Sequence, residues 1–317
     1  MLIDEIYVDS GITEANIASL SSENEILAEK RICEVSELAE IVTKLAVRLI
    51  GDGYDISAVL DLVISGLDFS KQPSLEFALP ENRDLISAYL KGADVLDKAS
   101  FSLMLTARLR KEGISVSETD FLPVEKTNES ITYVKNRLAD EAYDVFSQDF
   151  ISPTISYSDS FKEAAHSVST GKYGYCLLPL EERGARISAI SSIIFTEDLK
   201  INSVTPVFGM DASADMKYAL VSKSFFVPNV DEDDDAYLEI RISAFSSDEL
   251  SDIVVAASAL GISVYRVNTV NFNTEEGGAP HFTMVFKKNG ADFTPFLIYL
   301  TMFSDTFNAV GMYKNLE

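Results

Sequence analysis

Cationic side chains are scarce in this sequence: among 317 residues, 26 are Lys or Arg and 50 are Asp or Glu, a formal net charge of −24. Nucleic acids are bound by neutralising phosphates with Lys and Arg, so this balance argues against a nucleic-acid partner and equally against an anionic membrane surface. Cysteine and histidine are sparser still, two of each. Cys33 and Cys176 lie far apart and form no disulfide framework. With only His166 and His281 to join them, a His/Cys metal site is not expected, and no cofactor is implied. Long apolar runs are missing: the longest candidate, Phe296 to Phe303, has the length of a core helix and falls short of the ~18 residues that span a bilayer. The start, Met1-Leu2-Ile3-Asp4-Glu5-Ile6, has no basic segment before an apolar one, so a soluble, cytoplasmic protein is expected.

What is present is an ordinary globular composition, 47% apolar and 24% charged, long enough for two or three compact units. Residues 1–125 read as helical. Leu38, Ile41, Val42, Leu45, Ala46 and Leu49 recur at the spacing of one helix face, and Gly51-Asp52-Gly53 ends the run. A second helix is predicted from Ile56 to Leu67. A third pattern runs from Leu85 through Leu105 and Leu109, closed by Arg108, Arg110 and Lys111 before Gly113. Residues 128–228 change period: strands at Ser130–Val134, Tyr173–Leu178 (stopped by Pro179) and Tyr218–Val221 alternate with helices at Leu138–Phe146 and Ser160–Thr170. The acidic run Asp231 to Asp235 cannot pack against itself and reads as a linker over 229–235; a divalent-cation loop is the sharper reading, but the alternating ligand spacing is missing. Residues 236–317 give strand Tyr237–Phe245, helix Ser247–Leu260 ended by Gly261, strands Ile262–Phe272 and His281–Phe286, helix Asp292–Phe303 and strand Phe307–Tyr313. This βαββαβ order is ferredoxin-like.

Three segments of the last region, Leu250-Ser251-Asp252-Ile253, Ala259 to Arg266 and Phe307 to Tyr313, resemble an ACT domain, specifically the one that ends prephenate dehydratases. Gly171 to Glu181 is similar to that family's strand leading into Pro-Ile-Glu-Asn, and Ser160-Phe161-Lys162-Glu163-Ala164 to the segment before its amphipathic helix. The resemblance covers about 130–317. It implies an α+β, α/β fold: a helical N-terminal domain, one α/β lobe like half of a periplasmic-binding-protein unit, and a C-terminal ACT domain. It further implies a small carboxylate or amino-acid ligand and a homodimer or tetramer formed through the ACT domain. Site residues carried by the resemblance are Ser160, Glu181, Arg183 and Lys217 in the lobe, and Leu250, Ser251 and Asn268 at the effector positions.

The departures are chemical. The family's Gly-rich turn after the first strand reads Lys135-Asn136-Arg137-Leu138 here. Pro-Ile-Glu-Asn-Ser becomes Pro179-Leu180-Glu181-Glu182-Arg183, and Thr-Arg-Phe falls on Met216-Lys217-Tyr218. A thioether cannot protonate a leaving hydroxide, and Lys does not grip a carboxylate in the bidentate manner of Arg. Only Phe208 to Asp215 fills the interval where the family has a second lobe, enough for a loop. A Gly-Ala-Leu effector turn becomes Asp248-Glu249-Leu250. The expected function is a dehydratase-like protein without competent catalysis that senses a small ligand or regulates a partner. The alternative is an active dehydratase whose cleft the N-terminal helices complete. Arg183, Arg186 and Lys217 are candidates for a small anion-binding cluster, with ordinary salt bridges as the plainer reading. Glu181 is either a functional carboxylate at a strand's end or a surface acid.

Overall fold

The computed structural model describes residues 14–65, 90, 92–122, 124–125, 127–208, 215–226, 236–243, 247–270, 281–304 and 306–314. The acidic run 231–235, the predicted helix start near 85 and the turn at 275–278 lie outside the described residues.

Helix α1 (Glu14–Gly51) buries Val42, Leu45, Ala46 and Leu49 of the expected stripe together with Val35 and Ala39, whereas Leu38 is half-buried and Ile41 stands exposed, so the buried face is rotated from the one read off the spacing. Helix α2 (Ile56–Ser65) follows, and α3 (Val95–Lys111) is capped by Asp94, whose carboxylate accepts the Asp97 N–H at 3.0 Å. That cap corrects the pattern read continuously from Leu85, because a helix starts afresh at Val95. Strand β1 (Ser130–Tyr133), α4 (Arg137–Phe146), β2 (Thr154–Tyr157), α5 (Phe161–Ser169), β3 (Tyr175–Glu182), β4 (Ala185–Arg186), α6 (Ser188–Thr196), β5 (Lys200–Phe208) and β6 (Asp215–Ser222) make the middle region. Strand β2 and helix α6 have no counterpart among the predicted elements. Pro179 does not stop β3. It sits at a register shift against β6, beyond the only two residues that pair with β1, where its missing N–H costs little. The C-terminal elements are β7 (Ala236–Ser243), α7 (Ser247–Ala259), β8 (Ser263–Val270), β9 (His281–Lys287), α8 (Thr294–Phe303) and β10 (Phe307–Lys314). Their order is the expected βαββαβ.

All ten strands belong to one sheet, ordered β2-β1-β3-β6-β5-β10-β7-β9-β8, with β4 paired to β3. The middle and C-terminal halves join through a single parallel pairing, Gly311 on β10 with Ile201 on β5. Strands β5 and β6 pair directly up to Phe208 and Asp215, so a hairpin occupies the interval where a second lobe was sought. Both sheet faces are covered. One core packs α5 and α6 against Cys176, Leu178, Leu180, Ile201 and Ala219, and continues onto Tyr237, Val285 and Tyr313 of the C-terminal strands. Leu238, Ile240 and Ile242 of β7 point the other way, toward α7 and α8.

The N-terminal helices close over α8, not over Glu181: Ile298 and Met302 belong to the same core as Leu45, Leu60 and Leu105. A polar clasp reinforces this seam. Arg110 binds Asp292 at 2.5 Å and the Val116 carbonyl at 2.8 Å, while Asp292 also accepts the Thr294 N–H at 2.8 Å. Burial pushes the Asp292 carboxyl up, but Thr294 and Arg110 outweigh it and hold the group below the ordinary carboxylate range. Its stabilisation is therefore complete above about pH 4 and is lost as the pH falls through the lowered value. Both side chains keep water contact, 45% and 35% exposed, so we expect Asp292→Asn to cost only about 1 kcal/mol at pH 7. Denaturant melts should show that difference shrinking as the pH falls below about 4; a constant difference would contradict the linkage.

Candidate functional site

Site geometry begins with a two-residue hairpin. Arg183 and Gly184 both adopt positive φ (50° and 74°), the twist a tight β-turn of this length requires. The turn places Glu181 at the end of β3 directly across from Arg186 on β4, while β6 sets Lys217 opposite it on the other side. Opposite charges facing across a ladder attract, so the local register alone assembles a carboxylate between two cations.

A third cation arrives from far along the chain. Arg266 on β8 donates to both Glu181 oxygens, at 2.5 Å and 3.5 Å, although five strands separate β8 from β3 in the sheet order. Each strand step rotates the sheet by roughly 20–25°, which over six steps accumulates to roughly 120–150°. That coiling brings the β8 edge back against the end of β3. The remaining Glu181 contacts are longer: Lys217 Nζ at 3.9 Å and Arg186 Nη1 at 3.8 Å. Arg186 Nη2 donates to Glu239 on β7, and the Tyr313 hydroxyl donates to the other Glu239 oxygen at 3.1 Å. Glu181 is 6% exposed and Glu239 only 1%.

Burial opposes the charge on Arg186, but Glu239, Tyr313 and Glu181 outweigh it, so the guanidinium stays charged. Burial, then the Glu239 charge, push the Tyr313 phenol well up and keep it a donor. Buried Cys176 is likewise pushed up, which removes it as a nucleophile. Three cations thus face two carboxylates, leaving one positive charge in excess inside a strongly acidic protein. Both Glu181 oxygens are engaged, so the group is poorly placed to accept a substrate proton.

Beside the cluster lies a cleft of about 470 Å³, lined by Arg186 and Arg266, by Ser188 and Ser191 of α6, and by Asn268 and Thr269 of β8. Arg186 Nε is buried and has no hydrogen-bond partner among the described residues. A second cavity of about 470 Å³ lies at the opposite, amino end of β3, lined by Tyr175, Phe150, Leu220, Phe226 and the acids Glu125 and Glu129. Its described lining residues include no cation. Sites in open sheets form at the carboxyl ends of strands, which favours the cleft near Glu181.

The predicted site residues scatter. Glu181, Lys217 and Arg186 converge, and Asn268 lines the adjoining cleft. Arg183 stands exposed at the hairpin tip. Ser160 caps α5, its hydroxyl accepting the Glu163 N–H at 3.1 Å. Leu250 packs into the α7–α8 core on the other face of the sheet, and Ser251 beside it is exposed. Glu249 accepts hydrogen bonds from Ser304 at 3.1 Å and Thr306 at 2.6 Å, tying α7 to the start of β10. Sequence reasoning missed Arg266, Glu239 and Tyr313. Glu239 and Arg266 alternate with apolar neighbours, the pattern of a solvent face, and only the packing of α6 and the coiling of the sheet bury them. Among the described residues, no three His, Cys, Asp or Glu side chains converge as metal ligands, and no helix is long and apolar enough to cross a membrane.

No protein-family profile matches the sequence, and no curated protein matches it. Structural comparison finds partial likenesses. A prephenate dehydratase from Streptococcus mutans is 10% identical, with 59% of this chain and 99% of that chain aligned at a TM-score of 0.49. A quorum-quenching acylase is 16% identical over 60% and 96% of the two chains, TM-score 0.45. A prephenate dehydratase from Arthrobacter aurescens, solved with L-Phe, is 12% identical over 59% and 90%, TM-score 0.45. Identities this low and TM-scores below 0.5 are likenesses of backbone path, silent on what this chain binds or does.

Proposed function

We propose that this chain is a small-ligand-binding module with a sensing or regulatory role, built on a dehydratase-like scaffold and lacking dehydratase activity of its own. The observation that carries this reading is Glu181. It is the carboxylate retained from the family pattern, and it is held by Arg266, Lys217 and Arg186 beside an open cleft, not presented to a substrate. Two further features support it. Met216 stands where the resemblance calls for a catalytic hydroxyl, and the β5–β6 hairpin leaves no second lobe to close over the site. The N-terminal helices, as far as they are described, pack on α8 instead.

Purified full-length protein incubated with prephenate is expected to yield no phenylpyruvate above the uncatalysed rate. Turnover that disappears in both Glu181→Gln and Lys217→Ala would overturn the proposal in favour of an active enzyme.

A further inference from the structure

We infer that the cleft between the start of α6 and the β8 edge binds a small hydrophilic oxyanion: a single carboxylate or phosphate group on a hydroxyl-bearing body. This rests on the binding-module reading and gives its ligand a class. Arg186 carries the argument. Its side chain is 9% exposed, yet Nε points to no acceptor, and a buried donor left unmade is costly unless something completes it. The excess positive charge of the surrounding cluster attracts a carboxylate or phosphate head group on a ligand.

The neighbouring helix adds a second source of attraction. Helix α6 runs nine residues from Ser188, and Ile187 ahead of it offers no side-chain cap. The Ile190 N–H turns back to the Ile187 carbonyl at 3.1 Å, and the positive end of the helix dipole lies beside the cleft, which Ser188 lines. The walls decide the body of the ligand. Seryl, threonyl and amide groups line them, and among the described residues no large apolar side chain does. An aromatic ring would lose its water there without gaining apolar contact, whereas hydroxyls find donors and acceptors. The volume, about 470 Å³, is that of an ordinary small-molecule site. This class excludes an aromatic amino acid as occupant.

Isothermal titration of the full chain with glucose 6-phosphate, gluconate, inorganic phosphate, glucose and L-phenylalanine tests the inference. Saturable binding is expected for glucose 6-phosphate or gluconate, according to whether a phosphate or a carboxylate is the preferred head, and it should weaken as salt rises. Neutral glucose should bind at least about tenfold more weakly, the equivalent of 1.4 kcal/mol. Arg186→Gln removes the anchor but also disturbs Glu239, so the decisive variant is Ser188→Glu. A carboxylate at the first position of a helix is favourable, hence thermal stability should hold or rise while affinity for the anion drops at least about tenfold. No saturable heat from any of the three anions, binding indifferent to Ser188→Glu, or L-phenylalanine competing for the site would overturn the inference. Phenylpyruvate production would sink the binding-module reading, whereas absent turnover together with absent anion binding sinks this inference alone.

Discussion

Glu239→Gln is expected to destabilise the fold by about 3–5 kcal/mol, the cost of breaking a buried ion pair from one side. The carboxylate is almost wholly enclosed, its partner Arg186 has a side chain only 9% exposed, and Tyr313 donates to it from the next strand. Removing the negative charge leaves Arg186 desolvated beside Arg266 and Lys217, with Glu181 alone to balance all three. Water makes up little of the loss at Glu239 itself, which is 1% exposed beneath the α6 side of the sheet. Replacing both partners at once, Arg186→Met with Glu239→Leu, should recover most of the stability, since apolar substitutes incur no charge burial. Urea melts of the single and double variants measure this. A single variant within about 1 kcal/mol of the parent would mean that the cluster is far wetter than its geometry implies.

Gly311→Val is expected to cost about 3 kcal/mol, the upper end of overpacking penalties. Glycine inside a strand ordinarily weakens it. Here it sits where β10 meets β5 on one side and β7 on the other, paired with Ile201 and with Glu239. A Cβ at this position would lie 2.9 Å from the Ile201 Cβ and 3.0 Å from the Tyr313 ring, too close for either to remain in place. Separating Ile201 breaks the strand pairing that joins the two halves of the sheet among the described residues, and moving Tyr313 withdraws a donor from Glu239. The two sites should therefore be coupled: the effects of Gly311→Val and Glu239→Gln in one chain should fall short of additivity. A loss below about 0.5 kcal/mol for Gly311→Val, or strict additivity, would show that the halves meet more loosely than their pairing indicates.

Local chemistry was legible wherever one stretch of chain determines it. The apolar stripe of α1, the break at Gly53, the cation-rich end of α3 and the βαββαβ order of 236–317 each follow from spacing, caps and glycine conformations within a few residues. The departures had equally local causes. A proline was read as a strand stop where a bulge tolerates it, and a single periodic run hid the fresh start at Asp94. Helix α6, with Ile187 at its start and no polar cap, left no signal for a boundary.

By itself, the sequence determined the strand and helix inventory of the C-terminal region, placed Met216 where the resemblance calls for a hydroxyl, and marked Glu181, Arg186 and Lys217 as candidates. It did not bring those three together, because the strand read as ending at Pro179 stops short of Glu181 and the short β4 that carries Arg186 leaves no periodic signal. Tertiary structure alone decided the rest. Arg266 reaches Glu181 because twist accumulated over the sheet carries its edge around, and Glu239 becomes a buried partner because α6 covers its face. The N-terminal helices pack on α8 because Ile298 and Met302 offer apolar surface to bury. Ladder pairing is a contact between near neighbours and can be read from spacing where both strands leave a periodic signal. Sheet coiling and face burial sum many small rotations and areas over the whole chain, and no single stretch of residues records that sum.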